Sequence, residues 1–179
     1  MRTFDILCLS PATWGERVGR LQHLMRVAAR HHRVLVVEQA ANLSEDAPLV
    51  TASDRDPSGV RVFRPADRSW QPGTPRVRTS LRTILGSADS SRLMMWIDSA
   101  RMLRLVPSNA GSTLICDLRD PMQAATATLS RADLLLTSGS SAYQAARDLH
   151  PHTYLFPHAV DVDHFSRARR LSQRRTHAH

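Results

Sequence analysis

Two carboxylates, Asp117 and Asp120, follow the apolar run Thr113-Leu114-Ile115-Cys116 and mark the place where this sequence can do acid–base chemistry. A carboxylate beside a hydroxyl accepts its proton as the oxygen attacks. Asp120 is the candidate base and Asp117 the candidate positioning group. Asp120 also directly precedes Pro121, where an acid caps a helix; both readings stand. Asp98 ends another apolar run and carries the same two readings. Glu38 and Gln39 end a third, Arg33-Val34-Leu35-Val36-Val37, at a position where an acid can hold a sugar hydroxyl or serve the structure. Ser138, Ser140 and Ser141 offer hydroxyls and a helix start to a phosphate, or simply cap. Trp14 and Trp70 fall in loops, where an indole stacks on a sugar ring or covers the end of a core; at Trp14 stacking is favoured. Trp96 lies within an apolar run and is a core residue. His158 closes the run Thr153-Tyr154-Leu155-Phe156-Pro157.

These residues share one context: each follows a short apolar run that ends in a polar turn. The runs are Phe4–Ser10, Arg33–Glu38, Val60–Phe63, Arg92–Asp98, Thr113–Asp117, 133–137 and 153–156, about seven strands. Helical spacing separates several of them. From Glu16 to Arg30, Val18, Leu21, Leu24, Met25 and Ala28 recur on one face. Further helices are expected over 77–85, 99–105, 121–131 and 140–148, and loops over 39–59 and 65–75. Alternating strands and helices predict a three-layer α/β/α sandwich around a mostly parallel sheet. In such sheets ligands sit beyond the carboxyl ends of the strands, which is where the polar residues above fall.

Composition narrows the function classes. The chain has 179 residues, 42% of them apolar, enough for one packed domain. No stretch is long and apolar enough to span a membrane, and Asp5 interrupts any secretory signal, so a cytoplasmic protein is expected. Cys8 and Cys116 lie inside strands without metal-ligand spacing and read as core. No metal site and no cofactor is expected; His177 and His179 do not make a site by themselves. The turn after the first strand lacks the three-glycine dinucleotide fingerprint, and no phosphate-binding Walker loop occurs. All 24 basic residues are arginine, and the net charge is +8. Residues 165–179 hold five arginines and no acid, which leaves 19 against 16 acids, or +3, for residues 1–164. The expected organisation is a folded domain over 1–164 and a basic, disordered tail over 165–179.

The order of several motifs resembles the N-terminal half of GT-B glycosyltransferases that act on bacterial cell-surface polysaccharides. The opening Asp5-Ile6-Leu7-Cys8-Leu9-Ser10, Trp14, the run Arg20-Leu21-Gln22-His23-Leu24-Met25 and the strand ending in Glu38 are similar to that family's opening, with Leu21 at its usual proline. Cys116-Asp117-Leu118-Arg119-Asp120 resembles its Tyr-Asp-x-x-Asp segment. Arg131-Ala132-Asp133, with the strand and small turn to Gly139, resembles its Arg-Ala-Asp strand. Pro157-His158-Ala159-Val160-Asp161, followed by Phe165, resembles the segment that leads to the second domain, with Ala159 for the usual glycine. The resemblance covers roughly residues 4–166.

The resemblance implies a Rossmann-like domain that binds the acceptor, in an enzyme that moves a sugar from a nucleotide donor to a glycan or glycolipid. It places Arg20, Gln22 and His23 on the acceptor side; His23 is equally a surface helical histidine. His158 would border the interdomain cleft. The family's donor-binding domain would begin about where this sequence ends, so a truncated or split enzyme, inactive alone, is expected. Its partners would be the acceptor, a separate chain carrying the donor half, and the inner membrane face. The alternative is a standalone Rossmann-like sugar- or phosphate-binding module, or a non-catalytic relic. Nucleic acid ranks last, because the arginines of the tail are not interleaved with aromatics.

Overall fold

The computed structural model describes residues 5–15, 19–38, 54–64, 93–99, 102–103, 106, 113–118 and 129–158. Its strands are β1 (Ile6–Ser10), β2 (Val34–Glu38), β3 (Asp54–Arg55), β4 (Arg61–Phe63), β5 (Met94–Ile97), β6 (Thr113–Leu118), β7 (Leu134–Thr137) and β8 (Thr153–Leu155). Among the described residues the helices are α1 (Arg20–Ala28) and α2 (Ser140–Arg147). All strands join one sheet in the order β3-β4-β2-β1-β5-β6-β7-β8. Seven are parallel, and β3 runs antiparallel to β4 at the edge. The seven parallel strands are the seven apolar runs of the sequence, and the fold is Rossmann-like α/β.

The central stretches Ile6–Leu9 and Val34–Val37 are apolar throughout because both faces of the sheet are covered. On the α1 face, Ile6, Cys8, Val34, Val36, Val60 and Val62 pack against Leu21, Met25 and the Trp14 indole. On the other face, Leu7, Leu9, Leu35, Val37, Met95, Ile97, Leu114, Cys116 and Leu135 pack with Met102, Leu103, Leu129 and Ala146 of α2. Period-2 alternation along each strand assigns neighbouring residues to opposite layers. Cys8 and Cys116 are buried and unbridged on opposite faces. Trp96 is half-buried against the α1-side core.

Two boundaries differ from the sequence reading. The stretch 39–59, read as loop, contains β3, and Asp56-Pro57-Ser58-Gly59 is the turn that pairs it with β4. There the Asp56 side chain accepts from the Ser58 amide at 2.9 Å, the Gly59 amide donates to the Asp56 carbonyl at 2.8 Å, and Gly59 takes φ +92°. An aspartate opening the turn, proline next and a left-handed glycine last are turn chemistry. The first helix starts at Arg20 rather than Glu16, because Gly19 is extended, with φ −114° and ψ −172°. Glu16 itself, the predicted helix over 77–85 and the tail 165–179 lie outside the described residues.

Strand order reverses next to β1. From β1 the chain moves one way, to β2 and β4; from β5 it moves the other way, to β8. The crevice above β1 and β5 is therefore the switch point of the sheet, where α/β proteins take ligands.

Candidate functional site at the carboxyl edge of the sheet

The register fixes which polar residues line that crevice. Ser10 at the end of β1 stands beside Glu38 at the end of β2. Leu9 pairs with Ile97, and Ile97 with Cys116, so Asp98 and Asp117 follow on adjacent strands. Alternation places Ser10, Glu38, Asp98 and Asp117 on the α1 face, above Cys8. Burial pushes the Cys8 thiol well up, and the Asp98 and Asp117 charges add to the effect. Both carboxylates therefore act on the floor of the crevice.

Asp117 is held by Arg20. The Arg20 Nε donates to one carboxylate oxygen at 3.0 Å and a terminal nitrogen to the other at 3.3 Å. This fork-on-carboxylate geometry fixes orientation as well as charge. Arg20 is the first residue of α1, so the helix that crosses from β1 to β2 delivers the cation to β6. The guanidinium also lies over the Phe156 ring, 4.4 Å from its centre, and donates to the Pro157 carbonyl at 2.9 Å. The structure thus brings Arg20 and Asp117 together and adds Phe156, which reads in the sequence as an ordinary strand residue. His158 follows directly and is exposed. Ser138, one residue past β7, is half-buried.

Glu38 and Trp14 are joined to each other. Glu38 is 2% exposed; one oxygen accepts from the Trp14 amide and the other from Arg64 Nε at 2.9 Å. The Trp14 ring is buried in the core, its Nε1 donates to Asp56 at 2.9 Å, and Arg26 lies 5.7 Å from its centre. The indole thereby covers the end of the core, the second of its two sequence readings, and Glu38 clamps the turn after β1. Gln22 is buried and its side-chain oxygen accepts from the Gly19 amide at 3.0 Å, which caps the start of α1. His23 sits half-buried one position along that helix. Asp120, Gln39 and Trp70 lie outside the described residues.

Arg64, Asp56 and Arg26 were not legible as partners of the turn. Asp56 and Trp14 are 42 positions apart, and Glu38 and Arg64 are 26 apart; no local pattern links them. Among the described residues no three His, Cys, Asp or Glu side chains gather as metal ligands, and no helix is long and apolar enough to cross a membrane.

With this geometry in place, comparison with known proteins gives a single kind of likeness. The chain matches no protein-family profile and no curated protein. It resembles the crystal structure of the Anabaena protein Alr3699/HepE in complex with UDP, with a TM-score of 0.51 at 16% identity. The match covers 89% of this chain and 45% of the Anabaena one, so this chain spans under half of that protein's length. At that identity the likeness speaks for the fold alone, a Rossmann-like α/β domain.

Proposed function

We propose that this chain is the acceptor-binding half of a glycosyltransferase, which takes a glycan or glycolipid hydroxyl into the crevice above β1, β5 and β6. The observation that carries the reading is the Arg20–Asp117 fork, one strand from the switch point. It is a carboxylate fixed in direction, near the carboxyl end of β6, with a second aspartate, Asp98, after the neighbouring β5. Such a group accepts a hydrogen bond from a sugar hydroxyl and orients it. Asp120, three residues on, is the proposed base that takes the hydroxyl proton, and His158 and Ser138 would contact the acceptor from the ends of β8 and β7.

Donor binding is assigned to a second unit. The turn after β1 has no glycine cradle for a pyrophosphate. The UDP seen with the Anabaena protein is accordingly not proposed as a ligand of this half.

Calorimetric titration of the purified chain tests the reading. Oligosaccharide or glycolipid acceptors should bind, and Asp117→Asn should weaken them at least tenfold. UDP or a UDP-sugar should leave no binding heat. Micromolar binding of UDP, or acceptor affinity indifferent to Asp117, refutes it.

A further inference from the structure

Arg20 is engaged by more of the molecule than pairing with Asp117 requires. From α1 its guanidinium meets two pieces of chain that are remote in sequence: the end of β6 and the segment leaving β8. Two nitrogens hold Asp117 at 3.0 and 3.3 Å, the third holds the Pro157 carbonyl at 2.9 Å, and the flat face rests on Phe156. Only 11% of the Arg20 side chain and 6% of the Asp117 side chain is exposed. The planar fork and the stacking face are both used, and lysine supplies neither.

The segment leaving β8 needs such a hold. β8 is a three-residue edge strand, and its Tyr154 and Leu155 are 54% and 45% exposed, so burial fastens it weakly. The Phe156 amide donates to the Thr137 carbonyl at 2.7 Å and continues the ladder by one bond. Pro157 has no amide to donate. Among the described residues, Arg20 then ties the segment to the body of the domain, through the Phe156 ring and the Pro157 carbonyl.

We infer that Arg20 is a clasp that couples Asp117 in the crevice to the Phe156-Pro157 segment leaving β8. Asp117 orients the guanidinium, and the guanidinium holds the exit segment. A change in the hydrogen bonding of Asp117 therefore changes the hold on Phe156 and Pro157. By linkage, anything that shifts the hold on Phe156 and Pro157 shifts the hydrogen bonding of Asp117 in turn. The coupling is a property of the fold and stands whether or not the crevice takes a sugar.

Residue-resolved hydrogen exchange on the full chain tests it. Asp117→Asn removes the charge that orients Arg20. Exchange at the Phe156 amide should accelerate about tenfold relative to Leu9 and Val36 in β1 and β2. In an Arg20→Met background the same Asp117→Asn change should add no acceleration at Phe156. Equal acceleration at Phe156, Leu9 and Val36, or an undiminished effect without Arg20, overturns the clasp. Should Asp117→Asn not fold, Arg20→Lys serves instead. It keeps the charge but loses the fork, and Phe156 should again lose about tenfold in protection; unchanged protection there overturns the inference.

Discussion

Replacing Glu38 by glutamine separates a structural clamp from a ligand-binding acid by the sign of one stability change. Glu38 is 2% exposed, with one oxygen on the Trp14 amide and the other on Arg64 Nε. Glutamine keeps one oxygen and puts an NH2 group in the other's place, so one of the two donors must face a donor. The Arg64 side chain is 34% exposed, and water recovers part of its loss. Trp14 is 8% exposed, and its amide has no such recourse. A buried donor left without its acceptor costs roughly 1–3 kcal/mol, and the weakened ion pair adds up to about 1 kcal/mol. The expected loss is therefore about 2–4 kcal/mol, which lowers the melting temperature by on the order of 10 °C for a domain of this size. Urea titration followed by tryptophan fluorescence reads the loss as a lowered midpoint at constant slope. A residue kept strained for a ligand behaves the other way, because its removal relieves the free protein. An unchanged or raised midpoint would sink the clamp and return Glu38 to the list of ligand-binding candidates.

Three further outcomes follow from groups elsewhere in the sheet. Burial works to raise the Asp56 carboxyl, but bonds from Ser58, Trp14 and Arg26 outweigh it and hold the group well below the usual carboxylate range. A depressed folded value gives stability that is complete above about pH 4, the unfolded value, and lost as pH falls through the folded one. Asp5, lowered chiefly by its hydrogen bond with Arg33, acts in the same direction. Asp56→Ala should accordingly flatten the fall of the urea midpoint below pH 4, and an unaltered acid limb would show that these bonds contribute nothing. Burial raises the Cys8 thiol, and it pushes Cys116 up to about 12 against a smaller opposing effect of Arg131. Iodoacetamide at pH 8 should therefore modify neither cysteine until urea unfolds the chain; prompt labelling of the native protein would contradict their placement. His150 is 4% exposed; its Nε2 meets the Ala132 carbonyl at 2.9 Å and its Nδ1 accepts from the His152 amide at 3.2 Å. His150→Leu should cost about 1–3 kcal/mol by thermal melting, and a neutral result would mean that the turn between α2 and β8 does not depend on this ring.

The sequence by itself determined the layers of this protein. Runs such as Ile6–Leu9 and Val34–Val37 are apolar at every position because a parallel sheet is covered on both faces, and that requirement is written locally. The spacing of Leu21 and Met25 set the buried stripe of α1 in the same way, and both cysteines fell in the core where their strands put them. The strand ends were legible too, so the sequence placed Asp117 near the carboxyl end of its strand, where β6 holds it. What only the tertiary structure decided was the order of the strands and, with it, the partners of the polar groups. Arg20 and Asp117 are 97 residues apart and meet because β5, β6 and β7 are laid on the opposite side of β1 from β2. Trp14 and Glu38, each readable as a sugar contact, are turned toward one another because the hairpin of β3 and β4 brings Asp56 and Arg64 beside the first turn. A buried donor takes whatever acceptor the fold places within 3 Å or so. That distance is set by how strands stack across the sheet, and no spacing along the chain records it.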